Sequence, residues 1–175
     1  PKPTGKEKGL YWAVDFGGTN LRVMAVRFDG QGRAEQIGEA LKVRLDQVDP
    51  TILSGTAGNL FMQFAGLVKQ HFLDLKAKGL IAYGESQNIK IGFTYSYPAK
   101  LNGRADSATA IRLVKGLTIP DLVGKDVAGL FNDAINNGKT HACSFSRAFG
   151  SEKRFKNSFF NGRVHTVSGI ADHET

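Results

Sequence analysis

The sequence predicts an α/β fold: a mixed sheet that begins with an antiparallel meander and is flanked by helices. Two observations support this prediction. Three strand-like segments joined by glycine-rich turns open the chain, and two amphipathic helical segments alternate with short strands after them. The 175 residues, 41% of them hydrophobic and 22% charged, are enough for one soluble domain with a substantial core.

The opening meander follows a basic, polar leader, Pro1–Gly9, which we expect to be flexible. Its strands are predicted at Leu10–Phe16, Leu21–Phe28 and Ala34–Leu45. The first two strands are joined by Gly17-Gly18-Thr19-Asn20. The next two are joined by Asp29-Gly30-Gln31-Gly32, which is a strong hairpin signal.

An amphipathic helix is predicted next, because apolar residues recur at intervals of three and four. This stripe consists of Leu60, Phe61, Phe64, Val68, Phe72 and Leu75. Thr56 is the expected N-cap, and the helix should end near Gly79. We interpret the stripe as core packing against the sheet and place His71 on the polar side of the helix.

Two more strands and a second helix are predicted in the second half of the chain. The first strand contains the alternating apolar residues Ile89, Ile91 and Phe93, and the second lies around Ala110–Val114, beyond a polar loop at Asn102-Gly103. The helix should begin near Asp121 and end at Asn137-Gly138. Its apolar face would consist of Val127, Leu130, Phe131, Ala134 and Ile135. The remainder, Lys139–Thr175, shows neither period and is interpreted as a divergent tail of unknown structure.

Composition narrows the classes of partner. A net charge of +7 raises the question of nucleic acid, but the basic residues are scattered and no zinc-finger or helix-turn-helix spacing occurs, so we expect no nucleic-acid partner. No apolar run approaches the roughly 18 residues of a membrane span, so we expect no membrane association. The single Cys143 excludes an internal disulfide and favours a cytoplasmic location. The four histidines lack metal-ligand spacing.

The first candidate site is the turn after the first strand, Asp15-Phe16-Gly17-Gly18-Thr19-Asn20. The two glycines allow phosphate oxygens to approach backbone N–H groups, and Thr19 and Asn20 add side-chain donors. Asp15 is placed to hold Mg²⁺ through water. On these residues alone, an ordinary hairpin is an equally good interpretation.

Two further candidates follow later in the chain. Ser96 ends a strand, where open α/β sheets bind ligands, and its hydroxyl suits a hydroxyl-bearing ligand. Lys115 follows the apolar run Ile111–Val114 and could donate to a sugar hydroxyl. Taken singly, ordinary strand-end chemistry and a solvated lysine are the favoured interpretations.

Taken together, these three segments resemble the small lobe of the hexokinase family. The resemblance rests on Asp15 to Asn20 with Leu21-Arg22-Val23, on Gly92 to Pro98, and on Leu113-Val114-Lys115-Gly116-Leu117 followed by Gly124-Lys125-Asp126-Val127-Ala128. In the second motif Tyr95 and Tyr97 replace phenylalanines of the family. The match covers Gly9–Gly138, so we divide the chain into a leader (1–9), a hexokinase-type lobe (10–138) and a tail (139–175).

The resemblance implies an actin-like ATPase (ribonuclease H-like) lobe. It also implies ATP- and Mg²⁺-dependent phosphorylation of a hexose such as glucose at the 6-hydroxyl, a phosphotransferase reaction of glycolysis. The nucleotide would contact Asp15, Gly17, Gly18, Thr19, Asn20 and Arg22, with Mg²⁺ held through water by Asp15. The sugar would contact Ser96 and Lys115.

The chain departs from the family in two respects. Val114 stands where the family has a sugar-binding Thr, and the family's catalytic base, an Asp in an Asn-Asp-Thr-Val-Gly stretch, has no counterpart; Asp133 lies inside the second predicted helix. We therefore identify no catalytic residue and expect a truncated or frame-shifted product, nearly inactive alone. One alternative is a non-catalytic, nucleotide- or partner-binding remnant of a sugar kinase. Another actin-like ATPase is disfavoured by the Ser96 and Lys115 motifs.

Overall fold

The structure is a computed structural model and describes residues 4–82, 85, 89–103, 107–137 and 162–166. Within these residues the elements in chain order are β1 (Lys8–Gly17), β2 (Asn20–Asp29), β3 (Ala34–Arg44), α1 (Leu45–Val48), α2 (Ala57–Ala77), β4 (Ile89–Tyr95), β5 (Ala99–Leu101), β6 (Ala108–Ala110), α3 (Val127–Asn137) and β7 (Gly162–Thr166). The predicted meander, first helix and following strand are all confirmed.

Five strands form the main sheet in the order β3-β2-β1-β4-β7. The first three are antiparallel neighbours, whereas β4 pairs with β1, and β7 with β4, in parallel. The chain returns to place β4 beside β1 only after α2, as a parallel pair requires. The predicted mixed sheet with an opening meander is therefore confirmed.

One face of this sheet is the core. Trp12, Val14 and Phe16 of β1 are at most 1% exposed, whereas the residues between them are partly exposed on the opposite face. The phenylalanines of α2 pack onto the buried face, with the rings of Phe16 and Phe64 4.8 Å apart. Edge-to-face contacts of this kind add to the stabilisation from buried area. The interpretation of the Phe stripe as core is confirmed.

His71 does not lie on the polar side of α2, as predicted, but is 4% exposed. Its Nδ1 accepts the indole N–H of Trp12 at 3.2 Å, and its Nε2 lies 2.9 Å from the carbonyl oxygen of Glu39, so these partners assign the ring proton to Nε2. The position three residues after Val68 and four before Leu75 places it on the apolar stripe. Its polarity was the misleading signal.

The segment after β4 differs from the prediction. The strand expected at Ala110–Val114 lies instead at β6 and pairs with β5 in a separate two-stranded sheet. The second helix begins at Val127, not near Asp121. Asp121 instead accepts the N–H of Ala57 at 2.9 Å, in the first turn of α2. Thr56 caps the same helix, as predicted, by accepting from the N–H of Asn59 at 3.2 Å.

Asp126 joins α3 to the β5–β6 hairpin. One carboxylate oxygen accepts the N–H groups of Ala128 and Ala108, both at 3.1 Å, and the other accepts the hydroxyl of Ser107 at 3.0 Å. A carboxylate that accepts from the first turn of a helix is an effective N-cap. The Gly-x-Asp part of the third motif thus has a structural role here.

The tail, whose structure the sequence left unknown, contains a strand at Gly162–Thr166. These residues form β7, in register with β4 from Ile89↔Gly162 to Phe93↔Thr166. Residues 138–161 and 167–175, including the helix terminator predicted at Gly138, lie outside the described residues. The domain limits therefore stay a prediction. In the described ranges, no helix has the length and apolarity to cross a bilayer.

Candidate functional site

The turn between β1 and β2 is a two-residue hairpin turn. Gly17 and Asn20 are register partners, which leaves Gly18 and Thr19 at the tip. Gly18 has φ +70° and Thr19 does not have a positive φ, the pattern of a type II′ turn with glycine at its first central position. The backbone conformation alone therefore requires glycine at position 18.

The front of this turn presents uncommitted backbone donors. Within the described ranges, the N–H groups of Gly18 and Thr19 donate to no protein atom. A Cβ added at Gly17 or Gly18 would meet nothing within 4 Å, so the space around both glycines is open. Adjacent backbone N–H groups facing open space bind anions. The turn can therefore accept phosphate oxygens.

The back of the same turn is tied to distant parts of the chain. The carbonyl oxygens of three residues accept hydrogen bonds: Phe16 from the N–H of Ser96 at 3.0 Å, Thr19 from the N–H of Leu45 at 2.9 Å, and Gly18 from the hydroxyl of Tyr97. The donors belong to the end of β4 and the start of α1, so the turn is held from two sides.

Asp15 and Arg22 lie side by side on the open face of the sheet, next to the turn. They are register partners with the guanidinium 3.9 Å from the carboxylate, and their side chains are 42% and 63% exposed. So exposed a pair contributes little stability, and both groups remain available to a ligand. With Met24 and Lys42 they line a cleft of about 590 Å³. Thr94 of β4 is the other register partner of Asp15, a neighbour that the sequence analysis missed.

Ser96 and Lys115 meet at the carboxyl end of β4. The Lys115 ammonium donates to the carbonyl oxygen of Ser96 at 2.9 Å. The Ser96 hydroxyl has no partner among the residues that the structure describes. Lys115 has φ +56°, a left-handed conformation that is costly for a residue with a Cβ, and Gly116 follows with φ +80°. Such strained positions cluster at ligand sites.

Tyr97 connects these two groups of residues. Its hydroxyl donates to the carbonyl oxygen of Gly18, and its ring centroid lies 5.7 Å from the Lys115 ammonium. Burial, together with the neighbouring Tyr95 phenol, raises the pKa of Tyr97 above its ordinary value. The role of Tyr97 is not evident from the sequence, where it stands as a replacement of a phenylalanine of the family motif. The available signal was a hydroxyl in a buried apolar run, which normally needs a partner.

The two departures from the hexokinase motifs can also be located. Val114 is partly buried and packs against the core, so it offers shape but no hydrogen bond. Asp133 lies on the exposed side of α3, inside the helix as predicted. In the described part of the chain, neither Ser96 nor Lys115 contacts a carboxylate, and no cluster of three metal-ligating side chains occurs.

Comparison with known proteins identifies the lineage. The hexokinase family model matches residues 1–146. The chain belongs to the hexokinase family. It is 35% identical over 145 residues to a glucokinase of Aspergillus niger and 36% identical over 135 residues to hexokinase-1 of Spinacia oleracea. These alignments cover 77% and 76% of this chain, but only 28% and 26% of the two relatives.

Solved hexokinase structures share the fold. A hexokinase from Schistosoma mansoni, complexed with glucose, matches 96% of this chain with a TM-score of 0.68 at 23% identity. A second hexokinase crystal structure matches 78% with a TM-score of 0.64 at 29% identity. The chain spans 31% and 30% of those two proteins. The predicted actin-like lobe is confirmed, and this chain corresponds to less than a third of the length of the relatives named above.

Proposed function

We propose that this chain supplies the phosphate turn and the sugar-binding strand end of a cytoplasmic, glycolytic hexokinase. The reaction transfers the γ-phosphoryl group of ATP to the 6-hydroxyl of a hexose, and glucose is the first candidate because a hexokinase of the same fold is complexed with it. One observation carries the proposal. The free N–H groups at Gly18 and Thr19 and the polar groups of Ser96 and Lys115 lie at one end of the sheet, connected through Tyr97.

The nucleotide end of the site is preorganised. In this proposal the N–H groups of Gly18 and Thr19 bind phosphate oxygens, and the side chains of Thr19 and Asn20 add donors. Arg22 adds positive charge, because its exposed pairing with Asp15 is easily exchanged for a phosphate. Donors that are fixed before the ligand arrives need no reorganisation, which favours transition-state stabilisation.

Asp15 fits a magnesium ion bound through water. Its carboxylate is 42% exposed on the open face, next to the phosphate turn. Mg²⁺ is usually held by one or two carboxylates together with retained waters and substrate phosphates, so a single well-placed Asp is adequate. When bound, the ion would neutralise negative charge on the transferred phosphoryl group.

The sugar end is assigned to Ser96 and Lys115. The Ser96 hydroxyl is uncommitted within the described residues and can both donate to and accept from a sugar hydroxyl. One N–H of the Lys115 ammonium is used by the Ser96 carbonyl oxygen, which orients the group and leaves two donors. Val114 cannot replace the hydrogen bond that a threonine would make.

The contribution of this chain is binding and positioning. No carboxylate in the described ranges contacts Ser96 or Lys115, so we propose that the general base lies outside them. A positioned base contributes about 10²–10⁴-fold in rate. The chain alone should therefore bind its ligands and turn them over very slowly.

A chimera tests the reaction. Residues 1–137 replace the aligned part of the Aspergillus niger glucokinase, and ATP consumption is followed with and without glucose. We expect glucose-dependent consumption that Asp15→Ala strongly reduces and that Asp29→Ala, at the opposite end of β2, leaves unchanged. A folded chimera without glucose-dependent consumption would contradict the proposal.

Calorimetry on the 175-residue chain tests binding separately. We expect saturable binding of MgATP and of glucose without measurable product. If the chain binds neither MgATP nor glucose, only the alternative of a non-catalytic remnant that serves a protein partner is left.

A further inference from the structure

Two tyrosines flank Ser96, and their hydroxyls differ in bonding. Tyr95 and Tyr97 are each 1% exposed, and their ring centroids are 5.1 Å apart. The Tyr97 hydroxyl donates to Gly18, whereas the buried Tyr95 hydroxyl has no partner among the described residues. The two residues therefore form an internal comparison of one side-chain type at equal burial.

We propose that Tyr97 is a positioning residue whose hydroxyl fixes the β1–β2 turn relative to Ser96 and Lys115. The inference rests on the proposed function, and it adds to the site a group that the phenylalanine of the family motif does not have. Its effect is to hold the phosphate-binding amides and the sugar-binding groups at one distance from each other.

The geometry of a single peptide unit explains the effect. The carbonyl of Gly18 and the N–H of Thr19 belong to the same planar trans peptide, so they point in opposite directions. A hydrogen bond that holds the carbonyl toward Tyr97 therefore aims the Thr19 N–H away from β4, into the open space of the turn. Gly18 has φ +70°, and glycine tolerates a reoriented peptide more readily than other residues. The hydroxyl supplies the restraint that glycine lacks.

The Tyr97 ring is well placed to serve as a fixed support. It packs 4.9 Å from the ring of Phe16 and 5.1 Å from that of Tyr95, and it is almost fully buried. The same ring lies 5.7 Å from the Lys115 ammonium, within the range of a cation–π interaction. One rigid side chain thus contacts both the nucleotide end and the sugar end of the site.

Tyr97→Phe and Tyr95→Phe in the 175-residue chain provide the test, since each removes one oxygen and keeps the ring. The reporter is amide hydrogen exchange at Leu45, whose N–H donates to Thr19 in the turn. We expect Tyr97→Phe to accelerate this exchange about tenfold, equivalent to about 1.4 kcal/mol. Tyr95→Phe should change it less than about twofold. The amide of Phe64, inside α2, is the reference that should not respond.

The affinity for MgATP is a second measurement, and it should change only if Tyr97 positions the groups that bind the ligand. We expect Tyr97→Phe to weaken MgATP binding about fivefold, and Tyr95→Phe to leave it unchanged. Equal Leu45 exchange in the wild type and Tyr97→Phe would overturn the inference, as would accelerated exchange of the Phe64 reference by the same factor. If the wild type binds no MgATP, the proposed function fails, and the exchange comparison still decides whether Tyr97 fixes the turn.

Discussion

The two hairpin turns at the ends of β2 are similar in composition and opposite in construction. The β2–β3 turn holds itself, because one carboxylate oxygen of Asp29 accepts the N–H groups of Gln31 at 2.6 Å and Arg33 at 3.1 Å. The β1–β2 turn is held from outside, and its Gly18 carbonyl is bonded by a tyrosine 79 residues further along the chain.

This difference is the one expected between a simple connector and the phosphate-binding turn that we propose. A connector satisfies its own polar groups, whereas a binding turn is fixed from behind and leaves its front N–H groups for a ligand. Both turns are glycine-rich, so local composition could not distinguish them. The distinguishing feature is where the hydrogen bonds go, and that depends on the tertiary fold.

Replacing one acidic residue near each of the two turns with alanine gives the largest expected contrast between them. Asp15→Ala should weaken MgATP binding by about 10- to 100-fold, as loss of an indirect metal partner typically does. It should change stability little, because the Asp15 carboxylate is exposed and its pairing with Arg22 is weak. Asp29→Ala should have the converse effect: unchanged binding and a loss of about 1–2 kcal/mol in the free energy of unfolding. Calorimetry and urea denaturation measure the two quantities.

An equal loss of MgATP affinity in both variants would contradict the proposed difference between the two turns. An Asp29→Ala variant as stable as the wild type would also contradict it, because the β2–β3 turn would then not depend on the Asp29 carboxylate.

The basic residues provide the next contrast. Lys115→Met should weaken glucose binding about tenfold, since a hydrogen bond to a charged group contributes about 1.5–3 kcal/mol. Lys8→Met, beside Gly30 at the far end of the sheet, is the matched control and should bind glucose like the wild type. Tryptophan fluorescence or calorimetry during a glucose titration would show the difference. Equal affinity for glucose in both variants would contradict the proposed contact between Lys115 and the sugar.

Replacing a glycine in each turn provides a further comparison between the β1–β2 and β2–β3 turns. Gly18 and Gly30 both have positive φ, at +70° and +82°, so replacing either with Ala should cost about 1–2 kcal/mol of stability. Only Gly18→Ala adds a methyl group to the open space beside the amides that we propose to bind phosphate, and it should weaken MgATP binding about fivefold. An unchanged affinity in a folded Gly18→Ala variant would argue against phosphate binding at this turn.

Alkaline pH tests the burial of the two phenols beside Ser96. Burial raises the pKa of Tyr95 to about 12 and also raises that of Tyr97, so the unfolded chain loses these protons at a lower pH than the folded chain. The resulting stability is complete below about pH 10 and is lost as the pH rises toward 12, by at most about 1.4 kcal/mol per pH unit for each tyrosine. A double Tyr→Phe variant should show a shallower decline in denaturation experiments. An identical decline would mean that neither phenol is buried as described.

The sequence predicted those parts of the fold whose signals are local. The apolar run that leads into the first glycine turn located β1, and the three- and four-residue spacing of phenylalanines located α2. The start of α3 was misplaced because Asp121 and Asp126 are both good capping residues, and only the fold shows that Asp121 serves α2. The β5–β6 pair is too short to produce a clear period.

The sequence motifs supplied the residues of the candidate site, whose roles stay a prediction, but they did not supply the contacts between those residues. Ser96, Lys115 and the glycine turn became candidates because each belongs to a recognisable motif. Tyr97 was missed because its role depends on a contact with Gly18, and no local pattern reports a contact between residues so far apart in sequence. The same reason explains the misplacement of His71, whose partners are Trp12 and Glu39.

The most direct test of a shared site at one end of the sheet is NMR shift mapping on the 175-residue chain. We predict that MgATP shifts the amides of Gly17 to Asn20 and that glucose shifts those of Ser96 and Lys115, while the β2–β3 turn at Asp29 to Arg33 responds to neither. Shifts concentrated at the β2–β3 turn, or none at Gly17 to Asn20 with saturating MgATP, would contradict the assignment of this edge as the ligand site.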